Sequence, residues 1–262
     1  MPTAAGLDEH CRTGTDAEWY DRSINWPARL NREIPVLTEV FGPPPAGRLL
    51  DAGCGTGHQA AALAQRGYAV VGADVSAEML GVAQRHTASV GASVEFVCTP
   101  YATLHRVLGG GFAGVYTLAN ALAAAGSRQA VANALEQFAR CVRAGGRLFI
   151  QILNFQPMRR EEPCVRGPRV VTVDGLEYVS ARHFHFFNDV VRVSNVTLWK
   201  QREWRMRTQG GVLYPIEHDE LTARLAKAGF AVDALYGGYG REPFDPAASV
   251  DLIVVATRNA AL

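Results

Sequence analysis

The chain has 262 residues, a formal net charge of +1 and 48% hydrophobic residues, with 26 Lys and Arg against 25 Asp and Glu. That length suits one enlarged domain with room for a large core, and the near-neutral charge argues against general nucleic-acid affinity. No basic start leads into an apolar h-region and no apolar run is long enough to span a bilayer, so the expectation is a cytoplasmic protein without membrane or nucleic-acid partners.

Residues 1–14 are polar and lack periodicity, which predicts a frayed terminus. The five cysteines (Cys11, Cys54, Cys98, Cys141, Cys164) form no CxxC pair and no metal-ligand spacing, so they read as thiols of a reducing compartment. Asp16 to Phe41 reads as mostly helical, and Pro43-Pro44-Pro45 separates it from a first strand. Leu49-Leu50-Asp51-Ala52 is a short apolar strand carrying an acid, followed by glycines at every second position through Gly57. His58 to Arg66 is a helix closed by Gly67, and Ala69 to Asp74 is a second acid-tipped strand. Ser76 caps the next helix, with Met79 and Leu80 on its apolar side.

Val94 to Cys98 and Gly114 to Ala119 read as strands three and four. A helix from Arg128 to Val142 follows, ended by Gly145-Gly146, and Arg147 to Leu153 is strand five. This alternation implies a parallel sheet with right-handed crossovers. It then stops. Val170–Val173, Glu177–Phe187, Val190–Lys200 and Glu203–Thr208 are extended runs, with Asn188-Asp189 as a hairpin turn. A helix from His218 to Ala228, stopped by Gly229, leads to a closing strand pair, Phe230–Tyr236 and Val250–Thr257.

An acid-tipped strand, a Gly-x-Gly-x-Gly loop, a helix and a second acid-tipped strand make a nucleoside-binding unit, with Asp74 placed to accept from both ribose hydroxyls. The dinucleotide fingerprint needs a third glycine at wider spacing, which is missing here. The run Asp51-Ala52-Gly53-Cys54-Gly55-Thr56-Gly57 resembles motif I of the class I S-adenosylmethionine (SAM)-dependent methyltransferases. Tyr20-Asp21 with Trp26-Pro27-Ala28-Arg29, Thr99 to Leu104, Leu118-Ala119-Asn120 and Leu153-Asn154-Phe155 are similar to the glycine N-methyltransferase-like small-molecule enzymes.

The resemblance implies an α/β, Rossmann-like sheet, mostly parallel with an antiparallel last strand. It implies a helical segment over 1–46, a SAM-binding core over 47–155, an antiparallel β insertion over the substrate site at 156–215 and a closing helix and strand pair at 216–262. It also implies cofactor roles. Arg29, or Arg32 one turn on, would pair with the SAM carboxylate. Tyr20, with Trp26 beside it, would sit near the sulfonium; Ala52, Gly53, Cys54 and Gly55 would offer backbone; Asp74 would hold the ribose. Val75 and Met79 would cover the adenine, Tyr101 and Ala102 would lie beside it, and the Leu118 carbonyl would meet the amino group. Tyr20, Asn120 and Tyr214 would line the reacting centre, and the product would be S-adenosylhomocysteine.

Two residues depart from the group. Pro100 stands where many members have an acid or amide beside adenine, and Leu153 stands where glycine methyltransferases grip the glycine carboxylate with arginine, so glycine is not the expected acceptor. Methyl transfer is an in-line displacement in which a neutral amine needs orientation, whereas a hydroxyl needs a base or metal. The expected acceptor is a small molecule, an amine nitrogen by preference, with O-, S- or C-transfer and a non-catalytic SAM-binding protein as alternatives. No metal is expected; His183 and His185 alternate on one strand face and could both point into the cavity, but a third ligand is lacking. Met158 to Tyr214 holds ten basic and six acidic residues, which fits either a lid that attracts an acidic small molecule or a solvated outer face. A homo-oligomer is compatible with all of this.

Overall fold

The computed structural model describes residues 16–44, 47–161 and 164–260. The expected frayed terminus, Cys11, Pro45 and Glu162 lie outside them. The helix expected over Asp16 to Phe41 is two helices, α1 (Asp16–Arg22) and α2 (Trp26–Phe41). Asn25 causes the break. Its side chain accepts from the Ala28 N–H at 3.1 Å and Pro27 occupies the first turn, so α2 starts afresh.

The core then alternates β1 (Leu49–Ala52), α3 (His58–Ala64), β2 (Val70–Asp74), α4 (Ala77–Ser89), β3 (Glu95–Cys98), α5 (Leu104–Leu108), β4 (Phe112–Thr117), α6 (Arg128–Cys141), β5 (Val142–Leu153) and α7 (Phe155–Arg160). Next come β6 (Cys164–Val173), β7 (Leu176–Phe187), β8 (Val190–Lys200) and β9 (Trp204–Leu213), then α8 (His218–Lys227), β10 (Phe230–Tyr236) and β11 (Asp251–Arg258). The main sheet has the order β10-β11-β5-β4-β1-β2-β3. β1 to β5 are parallel, while β11 runs antiparallel to β5 and β10 antiparallel to β11. Chain order reverses between β1 and β4, which opens a crevice at their carboxyl ends.

Side chains alternate across this sheet. Leu50, Val115, Leu148, Ile150 and Val254 face one helical layer, while Leu49, Tyr116, Phe149, Ile253 and Val255 face the other. Helix α6 packs Val131, Leu135 and Phe138, all essentially unexposed, at helical spacing against the first face. Burial of each such side chain contributes roughly 1.5–3 kcal/mol. Helices α2 and α3 cover the second face through Ile34, Leu37, Ala60 and Leu63.

β6 to β9 form a separate antiparallel sheet. Helix α1 joins it to the core. Trp19 packs on Tyr178 at 4.6 Å between ring centroids, Arg22 pairs with Asp174, Arg207 pairs with Asp16, and Arg85 of α4 reaches Glu18 at 2.8 Å. The rings of Trp26, His58 and His86 stack at 3.9 and 3.7 Å, and His58 meets Asp21 at 2.7 Å, which fixes α2 on α3 and α4. Among the described residues no helix is long and apolar enough to cross a membrane.

Candidate active site

The glycine loop sits at the end of β1, and its three glycines serve different needs. A Cβ at Gly53, where φ is +83°, would lie 2.6 Å from the Tyr101 hydroxyl and from Ala121 Cβ. One at Gly57 would meet Ala83 and Phe96 at 2.8 and 2.9 Å, whereas Gly55 faces open space with nothing within 4 Å. The loop therefore turns tightly against the protein at Gly53 and Gly57 and presents Gly55 to the crevice.

Most of the loop's amide donors are already committed. Gly53 N–H and Cys54 N–H donate to the Ala73 carbonyl at 2.7 and 3.0 Å, and Gly55 N–H donates to Asp74 Oδ2 at 2.9 Å. Asp74 Oδ1 accepts from Ser76 N–H at 2.9 Å, and the Ser76 hydroxyl accepts from Met79 N–H at 3.3 Å. Carbonyl oxygens are what the loop has left to offer, which suits a ligand rich in donors. Cys54 is buried and its thiol pKa is pushed up by burial, so this residue contributes backbone only.

Beneath the loop lies a buried charge cluster. Asp51 is 3% exposed, and the buried Tyr116 hydroxyl adjoins its carboxyl and favours its ionised form, although Oδ2 is outside close hydrogen-bond geometry with any described residue; the Tyr239 hydroxyl is likewise without a partner among the described residues. Burial pushes the Asp51 pKa up to about 8, and the charges of Asp74 and Glu33 push the same way. Glu33 is buried too, taking Arg29 Nε on one oxygen and Gln59 Nε2 on the other, both at 2.7 Å. Arg29 lies 5.2 Å over the Trp26 ring, and the Tyr20 hydroxyl adjoins its guanidinium. Asp51 thus lies within reach of two further carboxyls, Glu33 and Asp74, and of one guanidinium, Arg29, an arrangement that favours a ligand bringing positive charge.

The remaining expected residues divide. Val75, two residues before α4, is 71% exposed, and Met79 in its first turn is half-buried. Trp26 is buried and donates its indole N–H to the Asp21 carbonyl at 2.8 Å, so it braces the site. The Tyr101 ring packs edge-on to Phe138, and its hydroxyl donates to the Ala52 carbonyl at 3.2 Å and adjoins Thr117. It supports the loop from below, and Ala102 beside it is exposed. The Leu118 carbonyl accepts from Ala121 N–H at 3.0 Å and keeps a second lone pair.

Ala119 and Asn120 have φ values of +57° and +66°, two consecutive left-handed residues without glycine. Such strain costs of order 1–3 kcal/mol per residue and gathers at functional sites. Two ties hold it: Leu153 N–H donates to Asn120 Oδ1 at 2.6 Å, and Ala119 N–H donates to Gln151 Oε1 at 2.7 Å. Gln151 in turn donates to Asp251 at 2.8 Å.

A cavity of about 470 Å³ opens between α1, the end of β5, α7 and the second sheet. Tyr20, Leu153, Asn154 and Ser249 line its core side, and Arg166, Arg169, Arg182 and Asn195 line its sheet side. Two expectations are corrected here. Tyr214 is 3% exposed and packed in the core, with its hydroxyl donating to Glu220 at 2.7 Å, so it does not line the cavity. His183 and His185 alternate with Arg182 and Phe184, which face the cavity; they stack at 6.3 Å on the opposite face of the strand. Among the described residues no group of three or more His, Cys, Asp or Glu is placed to hold a metal ion.

Sequence reasoning named Asp51 as a strand-tipping acid but did not place it in the site, and it passed over Glu33. The signal for Glu33 was its i, i+4 spacing from Arg29.

Residues 49–146 match the family described as Methyltransferase domain. A chain of Geobacillus sp. (strain WCH70) named as a methyltransferase is 35% identical over 86 residues, 30% of this chain and 33% of that one, so the match spans a third of that relative. The ubiquinone biosynthesis O-methyltransferase of Pseudomonas fluorescens (strain SBW25) is 29% identical over 194 residues, 70% of this chain and 76% of that one. The solved structure of SAM-bound CalS10, an amino pentose methyltransferase from Micromonospora echinaspora involved in calicheamicin biosynthesis, is similar with a TM-score of 0.74 at 24% identity, covering 93% of this chain and 95% of that one. Residues 49–146 are thus similar to methyltransferase domains, and the chain has the fold of solved SAM-dependent methyltransferases.

Proposed function

We propose that this protein is a SAM-dependent methyltransferase acting on a small molecule, with an amine nitrogen as acceptor. The observation that carries the reading is the buried carboxylate cluster under an acceptor-rich glycine loop, which fits a cofactor bearing an ammonium and a sulfonium. When bound, that cofactor supplies an activated methyl group on a good leaving group. The chain's residues do the rest. Asp51, from beneath the loop, and the Leu118 carbonyl favour the ammonium; Arg29, held by Glu33, turns its remaining N–H groups to the carboxylate. Asp74 keeps acceptor capacity for the ribose while bonding Gly55, and Val75 and Met79 cover the base. Tyr20 lies between Arg29 and the cavity, where it orients the acceptor and excludes water.

An amine is favoured by what the cavity wall contains. Among its described residues there is no histidine, and its carboxylate, Glu161, is held by Arg166 at 2.7 Å. A hydroxyl would lack a base there; a neutral amine needs only alignment. The Pseudomonas relative, named as an O-methyltransferase, favours oxygen as the second reading. Incubation with SAM and matched panels of small amines and phenols, read as S-adenosylhomocysteine by mass spectrometry, decides between them. Turnover with amines is expected. Turnover confined to phenols would establish the second reading, and none with either panel would overturn both.

A further inference from the structure

The cavity's sheet side carries an imbalance of charge. β6 and β7 are antiparallel, with Arg166 opposite Arg182 and Arg169 opposite Ser180; the register shifts between Arg166 and Arg169. Cross-strand partners share a face, as do residues two apart, so these arginines project to the same side, into the cavity they line. Arg166 is neutralised by Glu161 at 2.7 Å. Arg169 and Arg182 have no carboxylate partner among the described residues, and Arg182 Nε donates to the neutral Asn195 Oδ1 at 2.8 Å. That bond fixes the fork and leaves its Nη groups free. Arg182 is open to the cavity but flanked by protein, and this desolvation, followed by repulsion from Arg169, pulls its pKa below the usual arginine value. Arg169 and Arg182 repel one another across the cavity wall, and an anion between them would relieve that repulsion.

We propose that Arg169 and Arg182 form an anion anchor for the methyl acceptor, so that the acceptor carries a carboxylate or phosphate group in addition to the atom that is methylated. The proposal rests on the methyltransferase reading for the word acceptor, but the anion site does not. The fork geometry of two guanidiniums matches planar or tetrahedral oxyanions, and a lysine pair would lack that bidentate fit. With Tyr20 on the facing wall, the anchor holds one end of the acceptor and leaves the other at the core side of the cavity.

The test is calorimetric titration of the full chain, at low ionic strength, with inorganic phosphate, pyrophosphate and succinate, and with SAM in a parallel cell. One-to-one binding of at least one anion is expected. Arg182→Gln and Arg169→Gln should each weaken it about tenfold, the loss of one charge-assisted contact. Arg182→Lys should restore part of it, and far-ultraviolet circular dichroism should show all variants folded. SAM affinity should change less than about twofold, because neither residue lies in the glycine-loop cluster. Binding by the phosphates alone assigns a phosphate-bearing acceptor, and binding by succinate alone a carboxylate; each supports the anchor. No binding of any of the three, or undiminished binding in the Arg169→Gln/Arg182→Gln double variant, overturns it. Anion binding without SAM binding would sink the methyltransferase reading and leave the anchor standing.

Discussion

Asp51→Asn should weaken SAM binding by about one to two orders of magnitude while making the free protein more stable at pH 8, two effects of opposite sign from one oxygen. The carboxyl's ordinary pKa of 3.8 is raised by burial to about 8 in the fold. Between those values the folded state holds a proton that the unfolded chain has released. Wild-type stability therefore falls as pH rises from about 4 to about 8, and the asparagine variant is spared this loss. The ligand demands the reverse, since its ammonium favours the ionised form. Binding near neutral pH should release a proton, and wild-type affinity should climb toward pH 8 by up to tenfold per unit. It should then decline as the ligand's own α-amino group, with a pKa of about 8, loses its charge. The variant should lack the rising limb. Thermal melts and titrations from pH 6 to 9 check both; a variant that melts lower at pH 8 and binds SAM like wild type would remove Asp51 from the site.

The second large effect is at Gly53. An alanine Cβ there would lie 2.6 Å from both the Tyr101 hydroxyl and Ala121, at a φ of +83°. Left-handed backbone costs an alanine roughly 1 kcal/mol and overpacking another 1–3. Gly53→Ala should therefore lose about 2–4 kcal/mol of stability and, because Tyr101 must move from the Ala52 carbonyl, distort the loop and abolish SAM binding. Gly55→Ala is the control, because its Cβ would point into open space. It should remain stable to within about 1 kcal/mol, the strain alone, yet bind SAM poorly because the methyl occupies the cradle. Urea unfolding of both variants separates the cases; equal destabilisation would show that the loop is not held as described.

β1 and β2 were legible because they are apolar runs that end at glycine or an acid. β8 and β10 have the ends expected of them, and α8 starts at His218 as expected. The α6–β5 boundary was not. Gly145-Gly146 reads as a helix stop, but the strand begins at Val142, and a Cβ at Gly146 would meet the Ala113 carbonyl at 2.8 Å. That glycine permits close approach between strands, which chain-local punctuation cannot distinguish from a cap. α5 and α7 escaped notice because five or six residues carry too little periodicity. β6 and β9 run longer than expected, since exposed arginines and glycines interrupt their apolar pattern.

The site divides along the same line. The glycine loop, Asp74 and Ser76 follow from local spacing. The buried Asp51 carboxyl does not, because burial of an acid depends on α2 packing against the sheet. The His183–His185 pair was misplaced because a strand's period of two tells which residues share a face, but not which face meets the cavity; Tyr214, just past β9, was misplaced because its burial depends on packing against α8. The finer similarity to glycine N-methyltransferase-like enzymes rests on the four short stretches that suggested it, whereas the class I fold rests on the whole sheet.

The most direct test of the central claim, that the loop and its buried carboxylates form a SAM site, is calorimetric titration of the purified protein with SAM and, separately, with NAD at pH 7.5. Micromolar, one-to-one SAM binding without an NAD response is the expected result. Binding of NAD, or no heat from SAM at concentrations where the protein is folded, would contradict it.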